Sequence, residues 1–219
     1  MKTWTVDDVM TVKVVCARVD TPYREAVDLV MGRHVDALPV VDEQDHVVGV
    51  VSEADLLHKI ERSGVDDRPR LFESRRHREE RAKAAAHTAG MLMTSPAVTV
   101  PAGTPIAAAA RLMVAVGVEH LPVIDDRGHL AGIVSRGDLL KVHLRPDADL
   151  VADVWEMLRR VPGADEKSVE VSVHDGVVKL SGRLERRSAT LTAVALAAQI
   201  PGVADVADEL GYEFDDSAV

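Results

Sequence analysis

Two tryptophans, two tyrosines and two phenylalanines are all the aromatic residues in this 219-residue sequence. Its cores must therefore be built from Val, Leu, Ala and Met. A single cysteine, Cys16, rules out a disulfide framework within one chain. No apolar run approaches the length of a membrane span. Residues 1–10 lack the apolar core of a secretion signal, since Asp7 and Asp8 interrupt them, and the expected location is cytoplasmic. Basic residues are also short: 26 Lys and Arg stand against 36 Asp and Glu, a formal charge of -10. That balance argues against nucleic acid as a partner, because such binding neutralises phosphates with Lys and Arg. Walker loops, nucleophile elbows and metal-ligand spacings are missing, and the nine histidines are scattered. The expectation is no catalytic residue, no metal site and no enzyme.

What is present is globular: 47% apolar and 28% charged residues, enough chain for one large or two modest domains. Val-rich runs alternate with Ala/Leu stretches, which indicates an α/β class. Shifted by 83 positions, the sequence aligns with itself without a gap. Met10-Thr11 falls on Met93-Thr94, Thr21-Pro22 on Thr104-Pro105, and Leu38-Pro39-Val40 on Leu121-Pro122-Val123. Gly49 and Ser52 fall on Gly132 and Ser135, and Asp55-Leu56-Leu57 on Asp138-Leu139-Leu140. Nineteen of the forty-nine positions from 9 to 57 are identical in the two copies. This is an internal duplication.

Each copy reads as strand, helix, strand, strand, helix. In the first, residues 12–19 are β-rich, Thr21 caps a helix with Pro22 at its first position, and Gly32 ends it. Two short apolar strands flank an Asp-Glu-Gln-Asp turn, and Ser52 caps a second helix. The charged connector at 61–88 contains Arg75 to Arg81, a run that reads as a solvated helix.

The pattern resembles the CBS domain, and two copies make a CBS pair. The resemblance is carried by Val9-Met10-Thr11 and Leu92-Met93-Thr94, by Leu-Pro-Val before each hairpin, and by Gly-x-x-Ser-x-x-Asp after it. It divides the chain into repeat one at 1–60, the connector at 61–88 and repeat two at 89–144.

Ser135, Arg136 and Asp138 have the chemistry for a nucleotide. Ser135 ends a strand and opens a helix, where backbone N–H groups and a hydroxyl can meet phosphate beside the Arg136 cation. An ionised Asp138 can accept from both ribose hydroxyls. Ser-x-x-Asp is equally a capping box, and both readings stand at this point. The CBS resemblance implies that Thr99, Val100 and Pro101, with Val118, Glu119, His120, Leu121 and Pro122, line the adenine pocket of this favoured site. The corresponding weaker site has Cys16, Ala17 and Arg18, then Val35, Asp36, Ala37, Leu38 and Pro39, with Ser52 and Asp55. It is expected to be weaker because Glu53 stands where repeat two has Arg136, and a carboxylate beside phosphate repels it.

Beyond Arg145-Pro146-Asp147, Leu150, Val154, Met157, Leu158 and Val161 follow helical spacing. An alternating run at 169–173, an Asp175-Gly176 turn and a second run at 177–184 read as a hairpin. An Ala/Leu helix at 185–199 and a strand at 203–210 complete the segment. This part resembles a BON domain through residues 171–182 and Pro201-Gly202-Val203-Ala204-Asp205-Val206. It is taken as 148–212, followed by an acidic tail at 213–219.

The expected fold is α/β (α+β): a pseudo-twofold pair of β-α-β-β-α units plus a small α-β-β-α-β domain. The resemblances imply a non-catalytic regulatory protein with an adenosine nucleotide (the AMP, ADP, ATP or S-adenosylmethionine class) as regulatory ligand. They also imply a homodimer formed through CBS helices, with residues 107–116 and 26–31 as candidate faces. The protein recipient is not specified. The alternatives are a ligand-free dimeric scaffold and a membrane-associated phospholipid-binding protein, for which Lys179, Arg183, Arg186 and Arg187 are the candidate basic patch. The acidic tail disfavours an anionic bilayer.

Overall fold

A computed structural model describes residues 3–61, 83 and 85–216. The helix expected at 75–81 lies outside the described residues. The chain divides into two compact units, Thr5–Asp138 and Leu139–Val219, the second including Met1–Trp4.

In the first unit, repeat one forms β1 (Ala17–Arg18), α1 (Tyr23–Arg33), β2 (Ala37–Val41), β3 (Val47–Ser52) and α2 (Glu53–Glu61). The leading segment of repeat two contains α3 (Ala89–Leu92). Then come β4 (Val100–Pro101), α4 (Ile106–Val116), β5 (His120–Ile124), β6 (Leu130–Ser135) and α5 (Arg136–Leu140), within which the first unit ends. Each repeat makes a three-stranded sheet whose first strand lies parallel to the second and whose last two are antiparallel. Central β2 is buried at every position, as its unbroken apolar run requires. The duplication extends to irregularities: the register slips between Val40 and Val41 and again between Val123 and Ile124.

The helix ends differ from the expected ones. α1 starts at Tyr23 with extended Pro22 as its N-cap, runs through Gly32, and stops at His34 in the left-handed region (φ 53°). Its counterpart α4 stops at Gly117 (φ 73°), the residue type that adopts this conformation without steric cost. The stop signal is thus explicit only in the second copy.

The two repeats exchange their leading segments. The Val6 N–H bonds the Thr104 carbonyl at 2.8 Å, and Thr11 and Ile133 bond each other at 2.9 and 3.0 Å. Reciprocally, the Ala89 N–H bonds Thr21 at 2.8 Å, while Thr94 and Val50 bond each other at 2.9 and 3.2 Å. Met10 packs on Gly132 and Met93 on Gly49, where a Cβ would collide with the thioether side chain. Ala86, Ala89 and Leu92 consequently share the core of Leu38, Val40, Val51 and Leu56 in repeat one.

The second unit contains α6 (Asp147–Leu158), β7 (Val169–His174), β8 (Val177–Arg186), α7 (Arg187–Ala197) and β9 (Asp205–Phe214). β8 is central, antiparallel to β7 and parallel to β9. Leu150, Val154 and Leu158 of α6 pack with Val178, Leu180 and Leu184 of β8 and with Ala193 and Ala197 of α7. The Asp147 carboxylate accepts the N–H groups of Asp175 and Gly176, both at 3.0 Å, and fixes the hairpin turn. β9 extends four residues past its expected end, because pairing with β8 continues to Arg186 and Phe214. The Arg145 guanidinium donates to the Pro201 carbonyl at 2.5 Å and to Asp153 at 2.6 Å, and lies 5.3 Å from the Trp4 ring centre.

Candidate functional site

β3 passes into α2 without an intervening residue, so Ser52 stands at a strand end and a helix start at once. Asp55 Oδ2 accepts both the Ser52 N–H and its hydroxyl at 2.8 Å, and the Asp55 N–H points back to Ser52 Oγ at 3.4 Å. Repeat two reproduces this with Ser135 and Asp138 at 2.8, 2.7 and 3.1 Å. Both motifs are therefore closed capping boxes here. Asp55 has a further partner: the Lys83 ammonium meets its Oδ1 and also donates to Thr94 Oγ1 at 3.0 Å.

Ser52 and Asp55 open into a cleft of about 780 Å³. Repeat one also contributes Asp36 and Glu53. Repeat two contributes Thr94, Pro96, Ala97 and Val98 from its leading segment, and residues 116–120 from the end of α4 and the start of β5. The exchange of leading segments brings Thr94 beside Val50, and so beside Ser52. Among the described residues, four carboxylates face this space: Asp36, Glu53, Asp55 and Glu119. Arg136 donates to Glu119 at 3.3 Å and to the Val118 carbonyl at 3.2 Å, which holds it at the Glu119 wall.

The cleft combines residues from the two sets expected from sequence. Val118, Glu119 and His120 of the favoured set line it together with Asp36, Ser52 and Asp55 of the weaker set. Ser135 instead faces His120 across the β5–β6 pairing. Thr99 is half-buried, Val100 and Pro101 form β4, and Leu121 and Pro122 are buried in β5. In repeat one, Val35 is half-buried, Ala17 is buried in β1, and Ala37, Leu38 and Pro39 are buried in β2. Arg18 is held by the hairpin through the Asp42 carbonyl (2.8 Å) and Asp45 (2.9 Å). Cys16 is exposed and lines a second cavity of about 420 Å³ with Val12, Val14, Asp45 and His129. Sequence reasoning missed Lys83 and Thr94. The latter could have been found, since it duplicates Thr11.

Among the described residues, no group of three or more His, Cys, Asp or Glu is placed to hold a metal ion. No described helix is long and apolar enough to cross a membrane. In the second unit Lys179 pairs with Glu209 at 2.8 Å, Arg187 with Asp215 at 2.9 Å, and Arg183 donates to the Tyr212 carbonyl at 3.3 Å.

Two repeats with one hairpin register and exchanged leading segments, followed by a separate three-stranded unit, define a tandem CBS pair with an appended domain. The chain belongs to the CBS-domain family: the CBS domain profile matches residues 6–62 and 89–145, and the BON domain profile matches 146–213. It is 30% identical over 140 residues to a CBS domain-containing protein of Dictyostelium discoideum, covering 64% of this chain and 91% of that one. It is 31% identical over 155 residues to the chloroplastic CBS domain-containing protein CBSX2 of Arabidopsis thaliana, covering 65% of this chain and 64% of the relative's length. The crystal structure of CBSX2 in complex with AMP superimposes with a TM-score of 0.57 at 31% identity, over 64% of this chain and 97% of that one. The CBS domain pair of protein MJ0100, at 20% identity and a TM-score of 0.52 over 64% and 96% of the two chains, shares the fold.

Proposed function

We propose that this is a non-catalytic regulatory protein that binds an adenosine-type nucleotide in its CBS pair and relays the bound state to a protein partner through the BON domain. The observation that carries the reading is the cleft at Ser52 and Asp55, whose volume falls in the range of small-ligand sites, about 300–1,000 Å³. A ribose on Asp55, a phosphate at the start of α2 and a base toward Val98 and Val118 would use each wall for the chemistry it offers. The AMP complex of CBSX2, a relative at 31% identity, supports the same ligand class. Ser135 and Asp138, with the same box, are the second candidate position. Cytoplasmic residence and a homodimer are part of the proposal. The exposed Met31 of α1 and Val114 of α4 support the dimer. The ion pairs of Lys179 and Arg187 leave the BON unit ill suited to an anionic bilayer.

Calorimetry on the full chain with AMP, ADP, ATP and S-adenosylmethionine tests the reading, alongside Asp55→Ala and Asp138→Ala. Binding by the unaltered chain and its loss in Asp55→Ala are expected. A ligand at a hundred times its Kd should also stabilise the fold by about 2.7 kcal/mol. No binding and no thermal shift with any of the four would favour the ligand-free scaffold.

A further inference from the structure

We propose that Lys83 sets the charge selectivity of the Ser52/Asp55 cleft, exchanging Asp55 for the phosphate of an incoming adenosine nucleotide. The inference rests on the reading of this cleft as an adenosine site.

Among the described residues four carboxylates line the cleft, and such a wall repels phosphate unless cations offset it. Among the described residues, Arg136 and Lys83 are the basic side chains paired with those carboxylates. Arg136 is tied to Glu119 and to the Val118 carbonyl. Lys83 reaches the ribose-accepting carboxylate itself, and both members of that pair are largely shielded, with side chains 19% and 10% exposed. Its backbone is anchored too. The Lys83 carbonyl accepts the Ala86 N–H at 3.1 Å, Ala86 is fully buried, and Lys59 donates to the Ala86 carbonyl at 2.7 Å. The ammonium thus meets Asp55 and Thr94 while the Lys83 carbonyl is tied to the buried Ala86.

Ser52 occupies Oδ2 of Asp55, and Lys83 occupies Oδ1. A ribose hydroxyl that bonds Oδ1 shares that oxygen with the ammonium and competes with it for the carboxylate. A nucleotide supplies a compensating anion at the start of α2, and a flexible lysine with three rotatable donors can follow it there. An unphosphorylated nucleoside competes for the same carboxylate and offers the ammonium no anion in return. Repeat one therefore answers the handicap of Glu53 with a cation from outside either repeat.

The test is calorimetry of the full chain with AMP and with adenosine, comparing the unaltered protein with Lys83→Gln, Lys83→Arg and Asp55→Asn. The unaltered chain should prefer AMP, and Lys83→Gln should weaken AMP about tenfold, the worth of one charge-assisted contact, while leaving adenosine unchanged or tighter. Lys83→Arg should keep the preference, and added salt should narrow it in the unaltered chain, which checks the idea even if the Gln variant folds poorly. An unchanged AMP-to-adenosine ratio in a folded Lys83→Gln protein, with Asp55→Asn still abolishing binding, overturns the role of Lys83 alone. Binding of neither ligand, or binding indifferent to Asp55→Asn, overturns the adenosine reading of the cleft as well.

Discussion

The imidazole of His46 stacks on that of His129, with ring centroids 5.1 Å apart and planes inclined by 26°. The two residues are equivalent in the duplication, and their backbones bridge the two hairpins. Each ring lies 3.4 Å from its own aspartate, Asp42 or Asp125. Those carboxylates are held below the ordinary aspartate range chiefly by the backbone N–H of His46 and of His129, with help from Gln44 and Arg127.

A group with a depressed pKa contributes stability above its unfolded value and loses it as pH falls through the folded one. Thermal melts should therefore show Tm falling as pH drops below about 3.9. Replacing both Asp42 and Asp125 by Asn should flatten that part of the profile, and an unaltered slope would count against the hairpin as its source.

Gly49 and Gly132 leave room for the methionines of the opposite repeat. Gly49→Ala should destabilise the first unit by about 1–3 kcal/mol through overpacking against Met93, read by urea denaturation. Adding Met93→Ala should recover part of that loss. Strict additivity of the two changes would contradict the contact.

Arg145 binds Asp153, the Pro201 carbonyl and the Trp4 ring, and its side chain is 9% exposed. Arg145→Met leaves Asp153 charged and unpaired in a shielded position, and should cost about 3–5 kcal/mol. Intrinsic fluorescence would follow the loss, since Trp4 and Trp155 both lie in this unit.

Asp216 caps α7: its carboxylate takes the Ser188 hydroxyl at 2.6 Å and the Ser188 N–H at 2.9 Å, which lower its pKa in that order. Hydrogen exchange at the Ser188 amide should speed up in Asp216→Ala. In the unaltered chain, protection at this amide should persist through the ordinary aspartate range near about 3.9 and decline only at lower pH, because the Asp216 pKa is depressed. Equal protection in both proteins would remove Asp216 as the cap.

Much of the fold was legible because the chain states it twice. The ungapped offset, the Leu-Pro-Val strands and the Asp175-Gly176 turn led directly to sheets and hairpin. Where one copy was ambiguous, reading it alone misled: Gly32 looked like a helix stop, yet the left-handed residue is His34, identified by Gly117 in the other copy. The site was less legible. Grouping candidate residues by repeat separated Ser52 from Val118, although the cleft joins them. Which repeat faces which is decided by leading segments paired far from their own strands, and no local pattern encodes that. Lys83 gave no signal, since its role depends on where the connector returns.

The exchanged leading segments have a consequence for the origin of the molecule. A single repeat of this design leaves a backbone edge unpaired and a glycine uncovered, and a second repeat supplies both. Separate single-repeat chains could meet that need only by encounter, at a rate and occupancy governed by their abundance. Placing both on one polypeptide replaces that dependence with a fixed effective concentration. The assembly then survives dilution, and its two halves become free to diverge, as Glu53 and Arg136 have.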